Sequence, residues 1–326
     1  MSKHKSSALA QRTKKRHRRQ TIVTTSSHGV PTDCIAKMEG HSDMINECSF
    51  FQDRRLLATA SYDCAVRLWD VDSHQCIATL NDHTNWMNSC KFSPDDALVA
   101  SASHDRTVRL WDVKSHRCIA IISGNTGVNS CAFSADGAVL ASVSDDRTAH
   151  LWNMKTFTMI AILAGHGDYV YGCDISRHGI LASTAWDKTV RLWDINTQQC
   201  ISVLNGHTDW CYKCCFAADG TLLASTSGDR TVRLWDMRMR QSIATLKDSN
   251  GITYQCSFSS DGTWIAAGCS DDEVTRVWDV KTLQCIAILQ HDDLVFACVF
   301  SSNSMIATAG GDGHDNVRDC AIYLWQ

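Results

Sequence analysis

Apolar and polar residues alternate along most of this chain in short runs that recur. One unit shows the pattern: "NSCKFS", "LVASAS" and "TVRLWD" alternate with the two-residue period of a strand, and "HRCIAII" follows as a fourth apolar run. Turn residues such as "SPDD", "SADG", "AADG" and "SSDG" separate the first two runs and leave no room for a helix of ordinary length. The third run ends in Trp-Asp or a close relative, at Trp69, Trp111, Trp152, Trp193, Trp235, Trp278 and Trp325, with spacings of 42, 41, 41, 42, 43 and 47 residues. A fixed period of about 40–45 residues marks a repeat array with four short strands per unit. Such a unit is too small to bury its own apolar face, so the units must stack, and function is expected on the surface of the assembled array.

Gly-His pairs (Gly40-His41, Gly165-His166, Gly206-His207) precede segments of the form S-x-D-x-T-V-R-L-W-D, and the whole pattern runs in seven copies over residues 33–326. It resembles the WD-repeat β-propeller family. The resemblance implies an all-β, seven-bladed propeller with four-stranded blades, each repeat supplying the outer strand of one blade and the three inner strands of the next. The sequence closes on Leu324-Trp325-Gln326, a third strand without a fourth, while "DCIAKM" (Asp33 to Met38) matches "QCIATL" (Gln75 to Leu80). The N-terminal strand is therefore expected to pair in blade seven and remove an edge that would invite aggregation. This divides the chain into a disordered basic tail, 1–32, and a propeller, 33–326. Loss of residues 1–32 should be tolerated, and loss of 1–38 should not.

The resemblance also implies a buried hydrogen-bonded set in each blade: His41, Ser61, Asp63 and Trp69 in blade one, His83, Ser103, Asp105 and Trp111 in blade two, and His207, Ser227, Asp229 and Trp235 in blade five. A buried indole N–H needs an acceptor, and a hydroxyl can relay to imidazole and carboxylate. Blades three, four, six and seven depart, with Asn125 near the histidine position, Ala185 for serine, Ser249 near the histidine position and Gly310 for serine, and are expected to be less rigid. Repetition of the set argues against catalysis, since an enzyme needs one special site. No nucleophile, phosphate loop, metal cluster or cofactor motif stands out, so neither an enzyme nor a cofactor is expected.

Three positions per blade should project on the narrow face, which in this family commonly binds peptides or proteins. They are the third and fifth residues after the Gly-His histidine, and the residue before the conserved aspartate. The expected contacts are Met44 and Tyr62 in blade one, Trp86 and His104 in blade two, and Asp145 in blade three. Tyr169, Tyr171 and Trp186 follow in blade four, Trp210 and Tyr212 in blade five, Tyr254 and Asp271 in blade six, and Leu294 and Phe296 in blade seven. Five of the six tyrosines fall in this set, and Tyr and Trp are the types enriched in interface hot spots. An exposed aromatic cluster marks a binding site for a protein or peptide. Asp145 and Asp271 favour a basic peptide, and an aromatic cage for methylated lysine is a variant of the same idea. The plain alternative is that these rings cover the channel and pack on each other. Blade seven also carries an insertion, Gly311 to Cys320, whose Asp312, His314, Asp315 and Asp319 do not match a calcium loop, so it reads as a plain loop.

Charge and cysteine usage adjust this picture. Residues 1–32 hold eight Lys/Arg and no acid, which leaves 23 basic against 35 acidic residues, a net −12, on the rest. The run "KKRHRR" (Lys14 to Arg19) reads as a solvated tail, a nuclear-import signal or a nucleic-acid arm. The acidic body disfavours nucleic acid elsewhere. Of seventeen cysteines, Cys48, Cys90, Cys131, Cys173, Cys214, Cys256 and Cys298 share one repeat position, and Cys34, Cys76, Cys118, Cys200 and Cys285 share another. Both look like buried, reduced strand positions of a cytosolic or nuclear protein. No secretory signal or membrane span is expected. The function that follows is a non-enzymatic interaction scaffold. Two alternatives stand beside it: a substrate receptor of a cullin-type ubiquitin ligase, from the Trp-Asp-x-Arg segment ending at Arg238, and an RNA-associated propeller acting through the tail.

Overall fold

A computed structural model of the protein describes residues 29–51, 55–124, 126–247, 251–270, 272–311 and 320–326. The described residues form twenty-eight strands and no helix, in seven antiparallel sheets of four. Blade one comprises Ile45–Phe50, Leu56–Ser61, Val66–Asp70 and Gln75–Leu80, hydrogen-bonded in chain order from the axis outward. Blades two to six repeat this order. The seven first strands contact one another in sequence around the ring, and Val295–Phe300 of blade seven closes against Ile45–Phe50 of blade one.

Blade seven takes its fourth strand from the other end of the chain. Cys34–Glu39 pairs antiparallel with Ala321–Trp325, with Cys34 opposite Trp325, Ala36 opposite Leu324 and Met38 opposite Ile322. Asp33 and Gln326 exchange backbone hydrogen bonds of 3.2 and 3.0 Å at the end of the ladder. The tail boundary moves, however. Pro31 is buried and Val30 packs against the core between blades six and seven, beside Trp264 and Tyr323. The chain is thus anchored upstream of Asp33, because two apolar side chains at 30 and 31 find an apolar surface beside the strand they precede. The basic residues of the tail lie outside the described residues.

Seven apolar clusters fill the seven blade junctions. Strand alternation makes this possible. In blade one Leu57 and Trp69 face blade seven, whereas Ala58, Ala60, Val66 and Leu68 face blade two. Small alanines on one face let the bulky Trp111 of the next blade approach. The inner strands are buried on both faces and the outer strands are wet on one side.

That difference corrects the reading of the cysteines. All seventeen are free; the first-strand set is buried, but Cys34, Cys76 and Cys200 are exposed and Cys118 and Cys285 half-buried. The second set sits on outer strands, whose solvent face has no neighbouring blade.

Candidate partner-binding face

The buried polar set exists, but its hydroxyl is not the one expected. In blade one Trp69 Nε1 donates to Thr59 Oγ1 (2.8 Å), Thr59 meets His41 Nε2 (2.7 Å), and His41 Nδ1 meets Asp63 Oδ2 (2.8 Å). Ser101 takes this place in blade two, Ser183 in blade four and Ser225 in blade five, each 2.7–2.8 Å from the indole nitrogen and 2.8 Å from its histidine. Ser61, Ser103 and Ser227 are two residues too far along. Trp69 stands opposite Leu57, so its indole reaches the diagonal neighbour at 59, while 61 lies a further ~7 Å up the strand.

Blade four is therefore complete, with His166, Ser183, Asp187 and Trp193, and Ala185 removes nothing from its relay. Ser142 and Thr308 still receive the indoles of blades three and seven. Blade six has Ala267 at the hydroxyl position. Asn125 and Ser249 lie outside the described residues.

Burial lowers the His41 pKa despite Asp63, which keeps the imidazole neutral. One proton order then satisfies every member: indole N–H to hydroxyl, hydroxyl to Nε2, and Nδ1–H to carboxylate. Burial alone would raise the Asp63 carboxyl, but His41 and the N–H groups of Ser42 and Ala65 hold it below the usual range. Ser101→Ala should strand both His83 Nε2 and Trp111 Nε1, costing about 1–3 kcal/mol for each, whereas Ser103→Ala should cost about 1. Equal losses in urea melts would return the relay to Ser103.

Ser61, Ser103 and Ser227 do something else. Ser61 Oγ donates to Asp43 O (2.8 Å), Ser103 to Asn85 O (2.9 Å) and Ser227 to Asp209 O (3.0 Å). They lace the loop before each first strand to the hairpin after the second. A backbone bond repeats this tie in every blade: Tyr62 to Met44, His104 to Trp86, Asp145 to Gly127, Trp186 to Tyr169, Gly228 to Trp210, Ser270 to Ile252 and Gly311 to Leu294. Two of the three expected positions per blade are thus locked side by side. In blade six the tied residue is Ser270, because that hairpin carries one residue more than those of blades one to five; Asp271 itself lies outside the described residues.

The third position forms an inner wall. In blades one to three it is Asn46, Asn88 and Asn129, whose side-chain N–H groups reach Met87 O, Val128 O and Val170 O of the next blade at 2.9–3.2 Å. In blades four to seven it is aromatic. Tyr171, Tyr212, Tyr254 and Phe296 form a chain of ring contacts at 5.5, 4.7 and 5.0 Å. Tyr212 and Phe296 are buried in this wall, and Met44, at the tied position of blade one, is buried as well. For Tyr212 and Phe296 the covering-and-packing alternative describes the contacts, since their rings are spent on neighbours.

Outside the wall lie two accessible aromatic groups. Trp86, 37% exposed, stacks on Tyr62 at 5.0 Å and meets His104 edge-on at 6.0 Å. His104 lies close against Gly127, where an added Cβ would collide with its imidazole. Trp186 and Trp210 stack at 4.4 Å with planes 9° apart, and Tyr169 and Tyr171 flank Trp186 at 5.4 and 6.2 Å. The Trp186 indole nitrogen is buried and has no hydrogen-bond acceptor. Four aspartates adjoin this pair: Asp187 and Asp209 are chain neighbours of Trp186 and Trp210, Asp168 precedes Tyr169, and Asp229 follows Gly228, which is tied to Trp210. Asp168 and Asp209 turn one oxygen to the backbone N–H of Tyr169 and Trp210. Asp187 and Asp229 are held well below the usual carboxylate range, burial being outweighed by His166 with Thr189 and by His207 with Thr231. Asp145, expected to draw a basic partner, instead accepts from Asn129 Nδ2 at 2.8 Å. Leu294 is half-buried beside Gly311, and residues 312–319 of the insertion lie outside the described residues.

One cluster was not foreseen. Glu47, on the first strand of blade one, crosses the channel to Lys213 of blade five (2.8 Å) and also meets Lys91 of blade two (2.7 Å). Lys213 reaches Ser130 of blade three (3.3 Å), and Gln255 of blade six donates to Glu47 (3.5 Å). Four blades meet at one buried carboxylate, and Ser130 joins blade three to it through Lys213. The signal lay in the residue before each first-strand cysteine. It is Ser89, Ser130, Gly172, Gln255 and Ala297 in five blades, and charged only as Glu47 and Lys213.

No group of three or more His, Cys, Asp or Glu side chains is placed to hold a metal ion among the described residues. No helix there is long and apolar enough to cross a membrane.

Comparison with known proteins agrees with this geometry. The family described as the IFT122 first beta-propeller matches residues 21–275. The CCR4-associated factor 4 homolog of Candida glabrata is 43% identical over 42 residues, which is 13% of this chain and 7% of that protein. That stretch equals one repeat period and speaks to the repeat alone. With seven four-stranded blades closed in a ring and most of its length matched, the chain belongs to the WD-repeat β-propellers, in the family described as the IFT122 first beta-propeller.

Proposed function

We propose that this propeller is a non-enzymatic scaffold that captures a partner protein on its narrow face, through blades four and five. The observation that carries this is the half-buried Trp186–Trp210 stack flanked by Tyr169 and Tyr171. Flat aromatic faces of this kind give a partner side chain a large, rigid contact, the commonest type of interface hot spot. The adjoining Asp168, Asp187, Asp209 and Asp229 favour a segment bearing an Arg or Lys side chain, which gains from the ring faces as well. Ring stacking and the laced loops hold these side chains in place before the partner arrives, so little ordering entropy opposes binding. The seventeen free thiols support residence in a reducing compartment, the cytosol or nucleus.

The test is Trp186→Ala, Trp210→Ala and Tyr169→Ala, each in the full chain, with quantitative comparison of the co-purifying proteins. Truncating a hot-spot aromatic costs ~2 kcal/mol or more, so bound partner should fall about thirtyfold while the melting temperature holds. An unchanged set of co-purifying proteins on folded variants would refute the proposed face.

A further inference from the structure

The seven units obey one grammar closely enough that departures from it can be mapped, and two of them meet at one place. Strands alternate in direction, so the turns between first and second strands and between third and fourth strands lie on the face opposite the aromatic groups. In the latter turn, the fourth residue after the repeat tryptophan is Ser73, Ser115, Thr156, Thr197 and Thr282 in five blades, and Met239 in blade five. Ser73 and Thr282 donate their hydroxyls to the turn aspartate at 2.6 and 2.8 Å. Blade five gives up that bond and holds Met239 64% exposed, between Arg238 and Arg240.

The second departure is in blade four. The turn between first and second strands carries an aspartate in blades two, three, five and six, namely Asp95, Asp136, Asp219 and Asp261; blade four is one residue shorter and carries Arg177-His178. His178 leans onto blade five: its Nε2 lies 3.2 Å from Asp219 O, and its ring would sit 2.9 Å from a Cβ at Gly220. The two altered turns face each other across a cleft of about 410 Å³. Ile180, Ile201 and Met237 line its apolar part, and His178, Arg238 and Arg240 its polar part. The nearby acids are engaged: Asp219 accepts from Thr221 N (2.9 Å) and Asp236 from Met239 N (2.6 Å). Arg238 makes no ion pair among the described residues.

We propose that this wide-face cleft between blades four and five is a second docking site, and that it takes an acidic, extended peptide segment carrying one aliphatic side chain. Charge complementarity decides the occupant. Arg177, Arg238 and Arg240 make a cationic patch on a body of net −12, where a long polyanion would be repelled. The cleft's apolar part and Met239 offer an aliphatic seat, and no Phe, Tyr or Trp ring lines it to stack a base. The site does not depend on the narrow-face reading. If both hold, the disc joins a basic partner on one face to an acidic partner on the other.

The experiment uses the full chain and fluorescence anisotropy. The probe is a labelled ten-residue peptide of Asp and Glu with a central Leu, and its control replaces every carboxylate by the amide. Saturable binding of the acidic peptide is expected, weakening with salt, with the control roughly tenfold weaker. Arg238→Ala combined with Arg240→Ala should lower affinity roughly tenfold. Met239→Ser, which restores the polar residue of the other blades, should lower it roughly fivefold with no loss of melting temperature. Trp186→Ala should leave this binding unchanged, which separates the two faces. Absence of saturable binding, equal affinity for both peptides, or full affinity in the arginine variant would overturn the proposal. So would equally tight binding of a charge-matched single-stranded oligonucleotide.

Discussion

Glu47→Gln should cost about 3–5 kcal/mol of folding stability, the loss expected when one partner of a buried ion pair is removed and the other stays charged. The side chains of Glu47 and Lys213 are 2% and 9% exposed, so the stranded ammonium cannot reach water without opening the ring. The pH dependence gives the same magnitude. Burial alone would raise the Glu47 carboxyl, but Lys213 and Lys91 hold it at about 2, below its ordinary 4.5. A carboxyl depressed in the folded state contributes stability that is fully present above the unfolded value and lost as pH falls through the folded one. The window is pH 4.5 down to about 2, and the contribution is about 3 kcal/mol. Urea melts across that window should show the native protein losing stability faster than Glu47→Gln, because the variant has already lost this term. Parallel curves would mean that the cross-channel pair contributes nothing to acid sensitivity. Glu47→Met with Lys213→Met should recover most of the loss, since an apolar pair of similar volume needs no charge compensation.

The second large effect is at the ring closure. Loss of residues 1–38 removes the strand opposite Ala321–Trp325, withdraws buried Met38 from the core between blades seven and one, and leaves Ile322 and Leu324 beside an open edge. Removing a buried methionine side chain alone costs about 2–5 kcal/mol, and the unpaired strand edge adds an aggregation route. Against a total of roughly 5–15 kcal/mol, the truncated chain should be insoluble or molten. Loss of residues 1–28 should leave the melting temperature unchanged. Loss of 1–32 should cost about 1–2 kcal/mol through Val30 and Pro31. Thermal melts that coincide for the 1–28 and 1–38 truncations would refute strand exchange between the chain ends.

How far the site was readable differs from residue to residue. Tyr169 and Trp210 could be placed by counting from the repeat histidine, and Trp186 by its place before Asp187, because blades four and five share the same turns. In blade six, with one residue more, the residue tied to Ile252 is Ser270, and the resemblance pointed to Ser61 where the relay uses Thr59. A pattern of residue types does not reveal which of two hydroxyls two positions apart lies under an indole; the diagonal reach across an antiparallel pair decides that. It also grouped Tyr212 and Phe296 with the accessible rings, although ring contacts to neighbouring blades consume both.

The chain's own order of residues determined the strand period, the number of blades and the exchange of strands between its ends. Those features are local or repetitive: two-residue alternation, a turn every few residues, and an apolar face that must meet its neighbour. Tertiary structure alone decided what converges on the axis and at the blade junctions. Glu47 and Lys213 are 166 residues apart, and the turn at Arg177-His178 and the turn at Arg238–Arg240 belong to different blades. They meet because closing seven twisted sheets into a ring brings first strands face to face across a channel and adjacent turns edge to edge, and no spacing along the chain encodes that distance.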